Sequence, residues 1–202
     1  MKKVFYFLAA LAVVAGIASC KCTRDADELV PEKTVAVDST KVAEIAATDS
    51  ADFIWFETGV EYDNFFDEDE PLAVAKVVSI FQVVKKDSLG INTDVYIFGH
   101  ELGVEDVDPE PIHTFVIEDM PLDGAQVELT FADALERMFE ANYPKPHSKQ
   151  VVLRKELGPK PGVNPQYIFG NVEAQLYVDA MTGDVADKNP VYPVEKEDEA
   201  TE

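Results

Sequence analysis

The sequence predicts an α+β fold, an antiparallel β-sheet with one main helix packed on a face. Three observations carry that prediction. Apolar, aromatic and β-branched runs recur between Phe53 and Asp179 with Pro, Gly and Asp between them. One stretch, "TFADALERMFEANYP" from Thr130 to Pro144, has a clear helical period with start and stop signals. The 202 residues are 47% apolar with 12 phenylalanines, enough for one core, and both cysteines, Cys20 and Cys22, sit at the front end. A folded part without disulfides has to live on that core.

Met1 to Ser19 opens with Lys2 and Lys3, runs apolar from Val4 to Val14 and closes on Ala15, Gly16, Ala18 and Ser19. That order predicts a secretory signal, too short and wrongly flanked for a spanning helix. Ile17-Ala18-Ser19-Cys20 resembles the lipobox of bacterial lipoproteins, with Ile17 standing where leucine is commonest. The resemblance implies that Cys20 is lipidated and becomes the first residue, its acyl chains anchoring the protein stably where one chain would not. Lys21 is not the aspartate associated with inner-membrane retention, so the analogy places the protein at the outer membrane, with the leaflet open. Loss of Lys2 and Lys3 takes the formal charge from −22 to about −24. Nucleic acid is therefore an unsuitable partner, since its phosphates are repelled.

Residues 20–50 are predicted as the lipidated cysteine and a flexible tether, since charges, Thr, Ser and Ala alternate there with isolated valines; a short helix near Thr40 to Ala47 is the only structure expected. Residues 188–202 are predicted as a disordered acidic tail. The globular part lies between, with a β-rich half at 51–126 and a second half at 127–187. Strands are expected at Phe53 to Tyr62, Leu72 to Val84, Val95 to Phe98, His113 to Ile117, Val151 to Glu156, Tyr167 to Phe169 and Ala174 to Asp179. Thr130 with Asp133 forms a capping-box variant, Phe131, Ala134, Leu135, Met138 and Phe139 form one apolar stripe, and Pro144 stops the helix after Tyr143.

An internal echo runs through both halves. "QVVKKDSLG" at Gln82 to Gly90 and "QVVLRKELG" at Gln150 to Gly158 share five of nine residues, and each is followed by "YIFG", at Tyr96 to Gly99 and Tyr167 to Gly170. Two readings stand: a diverged duplication whose first copy lacks the helix, or two hairpins converging on the same residues.

The stretch from Val127 to Asp187 reads strand, helix, strand, strand, strand and ends in "LYVDAMTGDV", with Asp179, Thr182, Gly183, Asp184 and Val185 in the closing turn. It resembles the PepSY and PepSY-like domains of secreted bacterial proteins, the group that includes β-lactamase-inhibitor-like domains. The resemblance covers about a third of the chain and implies an α+β binding or protease-restraining module. The turn itself needs only structural physics. Asp179 is placed to accept from backbone donors two and three residues on, and Gly183 supplies a positive φ.

No catalytic residue is predicted. His100, His113 and His147 fall in different elements, each expected as a partly exposed strand or loop residue, and none belongs to a zinc signature. No nucleophile elbow, Walker loop or dinucleotide fingerprint occurs, and no cofactor or metal is expected. The acidic run Asp63 to Glu70, "DNFFDEDE", is the one cluster with calcium-type donors, and a solvated loop is the preferred reading. Phe65 and Phe66 are expected to pack beneath it. Tyr143 to Lys149 and Lys155 to Lys160 are two basic, proline-containing loops with two readings: a contact surface for an acidic partner where they meet at one end of the sheet, or a pair of solvated connectors. The sequence thus points to a non-enzymatic cell-envelope lipoprotein with a protein partner. The alternative is a glycan- or calcium-binding lipoprotein using Trp55, Phe53 and Phe56 or the acidic run.

Overall fold

The computed structural model describes residues 28–87, 90–113, 117 and 119–192. Its elements are α1 (Pro31–Thr48), β1 (Asp52–Tyr62), β2 (Val74–Asp87), β3 (Gly90–Glu101), β4 (Ile112–His113), α2 (Phe131–Glu140), β5 (Gln150–Arg154), β6 (Gln166–Asn171), β7 (Ala174–Asp179) and β8 (Val185–Ala186). The fold is α+β, as expected. All eight strands join one antiparallel sheet in the order β4-β3-β2-β1-β5-β6-β7-β8. The two halves are therefore one sheet.

Each half is a helix followed by a four-stranded meander, and the halves meet where β1 pairs with β5. This corrects the expectation that the first half lacks a helix. The sequence echo is out of phase with this repeat: it equates β2 with β5 and β3 with β6, whereas the topology equates β1 with β5 and β2 with β6. Registers differ too, Val83 lying opposite Asp94 and Val151 opposite Phe169. Gly99 sits mid-strand in open space, while Gly170, at φ +109°, would drive a Cβ to 2.1 Å from the Ala174 carbonyl oxygen.

The flexible tether is corrected from residue 31 onward. Pro31 starts α1, where its missing N–H costs nothing, and Thr34, Asp38, Val42 and Ala46 continue a buried stripe at a spacing of four. The helix closes on Ser50 at φ 51°: the Ser50 N–H donates to Ala47 O and the Ala51 N–H to Ala46 O, the paired bonds of a left-handed helix stop. A side chain resists that conformation, so Ser50→Gly raises the unfolding free energy by about 0.5–1 kcal/mol, read by denaturant titration. A helix that was only frayed tether would show no gain.

One face of the sheet carries both helices. Val60 lies opposite both Val77 and Val151, Thr58 opposite both Ser79 and Leu153, and Phe169 opposite Val151 and Leu176, so these residues form inward rows running from β2 to β7. A bulge at Phe56 resets the phase of β1 and keeps Trp55 opposite Phe81. Val42 and Ala46 of α1 pack with Phe81, Val83, Tyr96 and Phe98. Phe131, Ala134 and Met138 of α2 pack with Val151, Leu153, Tyr167, Phe169 and Val178. Glu32 of α1 accepts the Phe131 N–H at 2.7 Å, so the carboxylate of one helix caps the other, a contact worth about 1 kcal/mol.

The Thr130–Asp133 capping box is present in full. The helix ends at Glu140 rather than at Tyr143, because Ala141 is already extended and Lys145 Nζ donates to the Met138 and Ala141 carbonyls. The strand expected at Val127 is replaced by a 3₁₀ turn, Gly124–Gln126, capped by Asp123. The acidic tail starts later than residue 188. Asn189 Oδ1 accepts the Val191 and Tyr192 N–H groups, and Val191 is buried. Pro193 to Glu202, like Met1 to Ala26, Asp27 and the lipidation residue Cys20, lies outside the described residues.

Candidate functional site

Sequence reasoning missed one buried polar cluster. On β3, Tyr96, Phe98 and His100 share the inward face, so His100 points beneath α1 and is only 3% exposed, which corrects its reading as a partly exposed residue. Its Nε2 lies 2.8 Å from Asp38 Oδ1, and its Nδ1 2.8 Å from Asp106 Oδ1. Asp38 is fully buried. Burial pushes its carboxyl up from the ordinary carboxylate value, against the opposing pull of the His100 hydrogen bond. The Ser79 hydroxyl faces the same carboxylate and helps to hold it down, yet neither Asp38 Oδ2 nor Ser79 Oγ reaches hydrogen-bond geometry with a partner.

This arrangement dictates a proton count. Ionised carboxylates only accept, and a neutral imidazole donates from one nitrogen only. With both nitrogens against carboxylate oxygens, the three groups must share one proton beyond the neutral ring and two carboxylates. The cluster pins the middle of α1 and the loop after β3 to the sheet. It does not place a hydroxyl on the imidazole, so it is no nucleophile-activating triad.

The acidic run and the basic loop meet each other. His147 Nδ1 lies 2.9 Å from Asp67 Oδ1, the His147 ring stacks on Phe65 at 4.1 Å, and Lys149 Nζ stands 4.7 Å above the Phe65 ring. Asp63 Oδ1 accepts the Ala73 N–H, and Phe66 is buried edge-on between Tyr62 and Phe169. Among the described residues no group of three His, Cys, Asp or Glu side chains is arranged to hold a metal ion. Of the two readings of the basic loops, the shared surface is not formed: Tyr143 to Lys149 enters β5 and Lys155 to Lys160 leaves its far end. The Trp55 indole N–H is turned onto Glu57 O and Thr58 Oγ1.

Asp179 does what its turn predicts. It accepts from the Met181 and Thr182 N–H groups at 2.9 Å and from the Asn164 side chain, and Gly183 is at φ 78°.

The remaining distinctive surface is the outer edge of the sheet at β3. Among the described residues, β4 pairs only with Asp94 and Val95, so Tyr96 to Glu101 has no strand on its outer side. Around that edge stand exposed aliphatics: Ile97 at 39%, Leu102 at 43%, Val104 at 58%, Val107 at 80% and Ile112 at 40%. Comparison with family models, with curated proteins and with solved structures finds no match to this chain.

Proposed function

We propose that this chain is a lipid-anchored cell-envelope protein, held through Cys20 at the outer membrane, that acts without catalysis as a protein-binding module. Restraint or binding of an envelope protease is the role that the PepSY-like stretch implies. The observation that carries this reading is the group of exposed aliphatics at the β3–β4 edge, since side chains of that size gathered at one edge mark interaction surfaces. Trp55 turns its polar handle inward, and Asp63 and Asp67 are engaged within the chain, so support falls on a protein partner ahead of a glycan or calcium.

In-cell crosslinking of the full-length chain, followed by membrane purification and mass spectrometry, tests it. One dominant envelope protein is expected. Recovery of polysaccharide alone, or of nothing above background, contradicts the reading.

A further inference from the structure

We infer that the outer edge of β3, from Tyr96 to Glu101, is a docking strand that takes up an extended, cationic segment of a partner protein as a ninth strand of the sheet. The inference rests on the protein-binding reading and adds the place and the chemistry of the partner.

The edge is built for addition. Tyr96, Phe98 and His100 point inward and are buried, while Ile97, Gly99 and Glu101 are exposed, so the strand is rigidly seated and presents its backbone sideways. The chain's own return does not fill it. Residues 109–111 are Pro-Glu-Pro, two of the three lacking an N–H to continue the ladder that β4 begins at Val95. The Asp106–His100 contact and the Lys41–Asp108 ion pair at 3.1 Å draw the intervening loop toward α1. Sheet edges are commonly blunted by charged side chains, lysine above all, by proline, by a bulge or by a covering strand, helix or loop. From Tyr96 to Glu101 there is no lysine, no proline, no bulge and no pairing strand on the outer side among the described residues.

The charge selects the occupant. From Gly90 to His113 there are six carboxylates and no lysine or arginine. Asp106 and Asp108 are engaged within the chain, whereas Glu101, Glu105 and Glu110 are exposed in the same stretch of chain as Ile97, Leu102, Val104 and Val107. A second copy of this chain would bring the same carboxylates face to face, which disfavours self-pairing. An anionic lipid surface is repelled for the same reason. A segment alternating Lys or Arg with Val or Ile satisfies the backbone edge, the aliphatics and the carboxylates together.

The test uses the full-length protein in detergent and a fluorescein-labelled synthetic peptide of alternating Lys and Val, read by fluorescence polarisation and amide hydrogen exchange. Binding should weaken with added salt and should protect outward amides within Tyr96 to Glu101. The same peptide N-methylated at every residue should not bind, because either of its edges needs free N–H groups to join the ladder. Ile97→Lys, on an exposed side chain, should weaken binding about tenfold with the melting temperature unchanged. Protection confined to another strand or face, or equal binding of the N-methylated peptide, overturns the docking strand while leaving a protein-binding role intact. Absence of any binding overturns the docking strand too, and the crosslinking result then decides the wider reading by itself.

Discussion

His100→Ala should lower the unfolding free energy by about 3–5 kcal/mol, because it leaves Asp38 as a fully buried carboxylate without its partner. That is a large share of the roughly 5–15 kcal/mol that holds a typical domain together. Denaturant unfolding of both proteins measures it, and a loss near 1 kcal/mol would place the cluster among ordinary surface contacts. The pH dependence has a definite sign. Asp38 has its folded pKa raised, so its contribution is present in full below the unfolded value of about 3.9 and is lost as pH rises through the higher folded value. Asp38→Asn removes this dependence, since its amide donates to the imidazole without a titrating proton. The native protein therefore loses stability relative to Asp38→Asn as the pH is raised. Asp94 and Asp133 are held below the ordinary carboxylate value and act in the opposite direction, which is why the comparison uses the difference between the two proteins.

A fragment beginning at Ala51 should fail to melt cooperatively, whereas one beginning at residue 28 should melt like the parent. Removal of α1 uncovers Phe81, Val83, Tyr96 and Phe98, large side chains worth about 1.5–3 kcal/mol each when fully buried. It also strips Asp38 from His100 and Glu32 from the N-terminus of α2. Thermal unfolding followed by near-ultraviolet circular dichroism separates the two fragments. A cooperative transition from the Ala51 fragment would return residues 31–48 to the status of a tether.

These two results concern the elements that were hardest to read. The strands at 52–62 and 174–179 and the capping box at Thr130 were legible because period-two alternation and local cap chemistry are written within a few residues. Helix α1 was not, because two of its five buried positions are Thr34 and Asp38, so its inward stripe has no apolar period. Its partner His100 lies 62 residues away, and Asp67 lies 80 residues from His147. Pairings over such distances depend on strand order, which no local pattern contains. One signal was available: Tyr96 and Phe98 alternate into His100, which sets the histidine on the core face of β3. The echoed "YIFG" misled in the other direction, since equal letters occupy strands that the topology does not equate.

The edge at β3 was legible only as a generic expectation that a sheet has edges. Its exposure depends on β4 being two residues long and on where the loop from Leu102 to Pro111 is drawn by Asp106 and Asp108. Carboxylates and aliphatics in "ELGVEDVDPEPI" are plain in the sequence, but their alignment beside an unpaired strand is a property of the fold.

The most direct test places a photo-crosslinking side chain at Val107, beside that edge, and in a second protein at Val172, in the fully exposed β6–β7 turn, with both full-length proteins irradiated in living cells. The account predicts one dominant polypeptide joined to the Val107 protein and none to the Val172 protein. Polysaccharide or lipid alone from both positions, or no adduct from either, would contradict it.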